Sequence, residues 1–119
     1  MLRRLYVYKA KVISVPDGAS CIMDIDLGMD VWQRGEKVDL SRIEVPGLKG
    51  ASRKKGLAAK EVLKGLIENR EVIVELERKK EAGKIQYLAE IWLSEKKGDW
   101  LNVNKAMVES GHGQFIKDN

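Results

Sequence analysis

The spacing of apolar residues changes twice along the chain, from period two to a helical repeat and back, and that order of periods leaves few folds open. Over residues 5–15, LYVYKAKVISV, the pattern alternates, with Tyr6, Tyr8, Ala10 and Val12 on one face. Alternation resumes over 19–27, ASCIMDIDL, where Ala19, Cys21, Met23, Ile25 and Leu27 face one way and Asp24 and Asp26 the other. Period two with turn residues between the runs, here Pro16-Asp17-Gly18, reads as paired, half-buried strands. Gly28-Met29-Asp30 turns the chain into a third strand, interrupted near Gly35, carrying Val38, Leu40 and Ile43 and stopped by Pro46-Gly47. After a polar loop from Gly47 to Gly56 the period becomes helical. Leu57, Ala59, Val62, Leu63, Leu66 and Ile67 predict an amphipathic helix over about 52–69 with Ser52 as its N-cap. Strand patterns return at 71–77, EVIVELE, and 85–93, IQYLAEIWL, separated by a turn at Glu81-Ala82-Gly83-Lys84. A turn at Lys97-Gly98-Asp99 leads to a short helix from Leu101 to Ser110, with Asn102 as N-cap and Gly111 as its stop.

Three strands, a helix, two strands and a helix predict an α+β fold that is mainly β: a small five-stranded barrel, whose closure removes most sheet edges. The 119 residues make one domain, 1–119. With 44% hydrophobic and 34% charged residues, the disordered class is excluded. No apolar run approaches the roughly 20 residues of a membrane span. The basic start Met1-Leu2-Arg3-Arg4 is not followed by a signal core, because Lys9 and Lys11 interrupt it. One cysteine, Cys21, excludes an internal disulfide framework and reads as a core thiol. The expected compartment is the cytoplasm, with no membrane partner.

The chain is mildly basic, 22 Lys and Arg against 18 Asp and Glu. All of the excess lies in residues 1–56, with eleven basic and seven acidic groups; residues 57–119 carry eleven of each. The densest basic run is Lys49, Arg53, Lys54, Lys55, Lys60 and Lys64, opposed only by Glu61. Such a run attracts phosphate by counterion release, and equally it describes a solvated loop and helix face. Arg78-Lys79-Lys80 and Lys96-Lys97 read as surface charge at turns.

The strings Val12 to Ser20, Val38 to Gly47, Gly83 to Trp92 and Leu101 to Gly113 resemble, in order, those of the staphylococcal nuclease family, an OB-fold barrel with helices. Val12-Ile13-Ser14-Val15-Pro16-Asp17-Gly18-Ala19-Ser20 resembles V-x-x-V-x-D-G-D-T, and Val38-Asp39-Leu40-Ser41-Arg42-Ile43-Glu44-Val45-Pro46-Gly47 resembles V-R-L-x-G-I-D-x-P-E. The stretch from Gly83 to Trp92 is similar to D-x-Y-G-R-Y-L-A-x-V-W, and Leu101 to Gly113 contains a string similar to V-N-x-x-L-V-x-x-G-x-A. The family cleaves phosphodiester bonds of DNA and RNA with one Ca²⁺. Carried over position by position, the resemblance puts Ala19 where a metal-ligating Asp belongs and Glu44 at the second metal carboxylate. Val45 stands at a backbone ligand. Gly47 stands where the general base belongs, and Asp39 and Gln86 stand at the two catalytic arginines. Lys84 falls at or near a phosphate-contacting Lys, beside Ile85 in place of a Tyr.

Of these acid, base and guanidinium roles only Glu44 keeps its type. An arginine that steadies transition-state charge is worth about 10³–10⁵ in rate, and one lost oxyanion-type donor costs about 2.7–4 kcal/mol. No catalytic residue is assigned, and the chain leans away from being an enzyme. The leading reading is a non-catalytic, nuclease-like OB-fold module that binds single-stranded DNA or RNA. Lys49, Arg53, Lys54, Lys55 and Lys84 would meet phosphates, with Trp32 or Tyr87 as stacking surfaces. One alternative is a protein-interaction module on the same barrel, as monomer or homodimer. Another is an altered metal-dependent phosphodiesterase using Glu44, the only reading that calls for a cofactor, Ca²⁺. Arg42 should point to the face opposite Asp39 if its strand stays regular. Asp24 and Asp26 read as ordinary surface carboxylates, Asp17 as a turn residue and His112 as a cap or surface residue. The family's third helix has no counterpart string, so Phe115 and Ile116, a shorter design or a partner would have to cover its place.

Overall fold

In the computed structural model of the chain, residues 6–95 and 98–116 are described; the Met1–Arg4 stretch and the Lys96–Lys97 pair lie outside them. The strands are β1 (Tyr6–Asp17), β2 (Ser20–Gly28), β3 (Val31–Leu40), β4 (Ile43–Glu44), β5 (Glu71–Glu81), β6 (Lys84–Ser94), β7 (Trp100–Asn102) and β8 (Gln114–Phe115). The helices are α1 (Arg53–Ile67), preceded by a 3₁₀ turn at Gly50–Ser52, and α2 (Val103–Glu109). The main sheet runs β3-β2-β1-β5-β6-β7, and a parallel pairing of β3 with β6, Asp39 opposite Leu88 and Leu40 opposite Ala89, closes it. The result is the expected five-stranded barrel, with the strand order and helix placement of an OB-fold.

The alternation sets which face is inside. Ala10, Val12, Cys21, Met23, Ile25, Val38, Val74, Ala89 and Ile91 are buried in one cluster. Burial, then the charges of Asp39 and Asp17, pushes the Cys21 thiol up to about 12, so it is an inert core group. Helix α1 adds Ala59, Leu63 and Ile67 to the same cluster. It approaches the β1–β2 turn so closely that a Cβ on Gly18 would stand 2.7 Å from both Ala59 Cβ and Val45 Cγ1. Asp17 shapes that turn, accepting from Ala19 N at 2.8 Å and from Ser20 Oγ at 2.9 Å. Among the described residues no helix is long and apolar enough to cross a membrane.

Three local expectations are corrected, and the interruption near Gly35 is present as expected. The third strand breaks after Leu40: Arg42 takes a left-handed φ of 67°, and Ile43–Glu44 pair with β8 instead of continuing the ladder. The interruption at Gly35 is a bulge (φ 67°), whose N–H donates to Asp24 Oδ1 at 2.9 Å. Arg78-Lys79-Lys80 lie in strand, not turn, because β5 stays paired with β6 from Ile73 to Glu81. Helix α2 starts at Val103 rather than Leu101, since Trp100–Asn102 pair with β6. Asn102 caps α2 as expected, accepting from Lys105 N at 2.8 Å. Its end is a Schellman turn at Gly111 (φ 83°), with His112 N donating to Met107 O at 3.0 Å. Ser52 stands before α1 but makes no capping bond.

Candidate nucleic-acid interface

The end of β3, the turn after it, the first half of β6 and the β8 edge enclose a cleft of about 640 Å³. Ala19, Asp39 and Gln86 all line it, so the fold brings together three positions that the nuclease resemblance singles out. Gln86 Nε2 donates to Asp39 Oδ2 at 2.9 Å. The two groups standing where the family has cations satisfy each other, one as donor and one as acceptor. Glu77 and Lys79 complete the polar lining from β5, and Phe115 and Ile116 supply an exposed apolar rim.

Arg42 also lines this cleft, which corrects the expectation that it faces away from Asp39. The strand does not stay regular: the positive φ at Arg42 turns the chain before the side chain leaves it. The guanidinium is nevertheless committed. Its Nε and Nη2 donate to Glu90 Oε2 and Oε1 at 2.8 and 2.6 Å, and its carbon lies 5.3 Å from the centre of the Phe115 ring. Glu90 also accepts from Ser41 Oγ, from Asn102 Nδ2 at 3.1 Å and from Asn104 Nδ2 at 3.3 Å. Burial raises the Glu90 carboxyl, but the bonds from Arg42, Ser41 and Asn102 and the Arg42 charge outweigh it, leaving the group below the usual carboxylate range. The Glu90 bond, in turn, raises Arg42. Fully buried Asn104 anchors the arrangement, accepting from Ile91 N at 3.0 Å and donating to Ser41 O and Ala89 O, both at 2.9 Å. Sequence reasoning missed this network; its members come from three distant segments and carry no shared spacing.

Glu44 is exposed on β4 and lines a different cleft, of about 350 Å³, with Val45, Pro46, Lys55, His112 and Gln114. Calcium needs about six to eight oxygen ligands. Here Ala19 offers no side-chain oxygen, Glu44 shares its cleft with a lysine, and among the described residues no three His, Cys, Asp or Glu side chains converge. Gly47 is exposed, and a Cβ on it would meet nothing within 4 Å. Asp24 and Asp26 are used locally. Asp24 takes Arg34 Nη1 at 3.1 Å besides the Gly35 N–H, and Asp26 takes Gly28 N at 2.8 Å.

The five basic residues singled out in the sequence form two groups. Lys49, Arg53, Lys54 and Lys55 are exposed around the start of α1, and Lys55 reaches the Glu44 cleft. The first turn of α1 holds no acidic residue and no side-chain cap, so the positive end of the helix dipole and three consecutive cations add to one positive field. The ion pairs among the described residues are Arg34–Asp24, Arg42–Glu90 and Lys64–Glu68, and none involves these four. Lys84 belongs to the second group, on the β5–β6 arm, where it lines a groove of about 390 Å³ with Lys79, Ile85 and Gln86. Lys79 and Gln86 line the Asp39 cleft as well, so arm and cleft are continuous. Lys79 was missed as a site residue because its basic run resembles a turn. Trp32 lies in β3 rather than a loop, under the Arg34 guanidinium at 5.5 Å. Tyr87 is half-buried, its hydroxyl accepting from Gln33 Nε2 at 3.4 Å.

No family model matches this chain, and no curated protein matches it. The nuclease resemblance therefore stands on the four strings and on the barrel itself.

Proposed function

We propose that this chain is a nuclease-like OB-fold module that binds single-stranded nucleic acid without cleaving it. The observation that carries the reading is the Gln86–Asp39 hydrogen bond, 2.9 Å long, in the cleft where the resemblance would put two guanidiniums. A carboxylate and a neutral amide cannot neutralise charge building on a phosphoryl group, and the guanidinium that lines this cleft, Arg42, is held by Glu90. Holding a strand asks for less: exposed cations along a groove and a surface for bases. The basic arm, with Lys79 and Lys84, and the cationic start of α1 with Lys49, Arg53, Lys54 and Lys55 support that part.

The test is fluorescence anisotropy with a labelled single-stranded oligonucleotide, together with a cleavage assay in Ca²⁺. Binding should weaken steeply between about 50 and 200 mM salt, and the K79E/K84E pair should cut it at least tenfold. Affinity indifferent to salt and to that pair would refute binding through the arm. Turnover that vanishes in Glu44→Gln would refute the non-catalytic half and favour an altered phosphodiesterase. A second reading, a protein-interaction module, is favoured by the exposed Phe115 and Ile116 beside the cleft. It would be supported by recovery of a defined partner that survives nuclease treatment and no longer binds F115S/I116S.

A further inference from the structure

The inward face of β1 does not end with the core. Beyond Ala10 it continues to Tyr8 and Tyr6, at the end of the barrel away from α1. There a pocket of about 340 Å³ is lined by Tyr6, Tyr8, Leu27, Gln33, Arg78 and Tyr87, above Ile25 and Leu76. Barrel mouths of this size, mostly apolar with a few convergent polar groups, are a common place for small ligands. The Tyr6 and Tyr8 rings are near-parallel, 12° apart with centroids 6.3 Å from each other, and Tyr6 is 51% exposed. Across the mouth one side-chain N–H of Gln33 is spent on the Tyr87 oxygen; no other bond among the described residues engages the Gln33 side-chain oxygen or the Tyr87 hydroxyl proton. An acceptor and a donor thus sit side by side opposite an aromatic pair, with the exposed Arg78 guanidinium lining the same pocket.

We infer that this mouth is a second binding site, taking one planar heteroaromatic ring that carries an anionic group: the base and phosphate of a single nucleotide. The ring stacks on Tyr6, its hydrogen-bonding edge meets Gln33 and Tyr87, and its phosphate meets Arg78. An aliphatic ligand would leave the donor–acceptor pair unmatched, and a bare anion would leave the tyrosines unused. The site is separate from the Asp39 cleft, shares no lining residue with it, and stands whether or not a strand binds the basic arm.

The full chain should be titrated with adenosine and uridine 5′-monophosphates by calorimetry or ligand-observed NMR, with ribose 5-phosphate and inorganic phosphate as controls. Both nucleotides should bind, and the two controls at least tenfold more weakly. Tyr6→Leu should weaken both nucleotides about tenfold with unchanged melting. Arg78→Gln should weaken the nucleotides about tenfold and leave adenosine itself unaffected. Lys79→Glu with Lys84→Glu should leave mononucleotide binding in place even where it abolishes oligonucleotide binding. Because Tyr6 and Arg78 are exposed, loss of fold should not obscure the result. Equal affinity for ribose 5-phosphate, an Arg78→Gln effect without a Tyr6→Leu effect, or no nucleotide binding at millimolar concentration would each overturn the inference.

Discussion

The two ends of this barrel are finished in opposite ways. At the α1 end a helix buries Ala59, Leu63 and Ile67, Gly18 lets the β1–β2 turn touch it, and on α2 the buried Asn104 bonds the Ile91 N–H and the Ser41 and Ala89 carbonyls. At the other end Tyr6, Leu27 and Val31 remain exposed, and Met29 is 98% exposed at the tip of the β2–β3 hairpin. That hairpin carries positive φ at both Met29 and Asp30, positions where glycine or asparagine would cost less. One end has no room at Gly18 for a further atom; the other keeps apolar side chains exposed and two neighbouring non-glycine residues at positive φ. The mononucleotide site proposed above lies at the loosely finished end, where substitution of an exposed side chain such as Tyr6 is expected to cost little stability.

The sharpest way to break that contrast is Asn104→Ala. It leaves the Ile91 N–H and the Ser41 and Ala89 carbonyls without this partner in a buried setting. A loss of about 3 kcal/mol is expected, read as a lower denaturant midpoint at unchanged slope. Tyr6→Leu should change stability by less than about 0.5 kcal/mol. Equal effects at the two sites would remove the distinction. Gly18→Ala comes next. Its new methyl meets Ala59 and Val45 side chains at 2.7 Å, and overpacking of this kind costs about 1–3 kcal/mol. The same change at Gly113, where the nearest atom is Glu44 O at 3.1 Å, should cost less.

How much of this was readable in advance follows the range of the interactions. Periodicity placed β1, β2, α1 and the core face, because alternation and helical spacing are local. Asp17 and Asn102 were legible for the same reason: each bonds backbone two or three residues away. The break after Leu40 carried no local sign, since Ser41-Arg42 contains neither glycine nor proline and the turn is held by Glu90, 48 residues on. Strands β7 and β8 are two or three residues long and exist only through their partners. Glu90 itself sits at an outward position of IQYLAEIWL and reads as solvent-facing. The Asp39–Gln86 pairing spans 47 residues and was reachable only through the resemblance that aligned both positions to one site.

Acid sharpens the comparison further. The Glu90 carboxyl is held below its ordinary value in the folded chain. As pH falls, the unfolded chain takes up this proton first, near about pH 4.3. The network's stabilisation is therefore full above that value and is lost as pH drops through the lower folded one. Stability against pH should show a steeper acid limb in the native chain than in Glu90→Gln, measured by urea unfolding. Parallel limbs would mean that Arg42 and Ser41 contribute no preference for the charged form.

The smallest effect sits at the start of α1, where stability and binding should move in opposite directions. Arg53, Lys54 and Lys55 occupy a helix N-terminus with no acidic neighbour in the first turn, and cations there oppose the helix dipole. Replacing Lys54 with Glu should stabilise the fold by about 0.5 kcal/mol, because it reverses an unfavourable charge and breaks no ion pair among the described residues. The same change should weaken single-strand binding and reduce its salt dependence, by about 0.7 in the logarithmic slope for each phosphate that is no longer neutralised. A variant both more stable and a poorer binder marks these cations as kept for a polyanion at the expense of the helix. One that gains stability and binds as before reduces them to an ordinary solvated face.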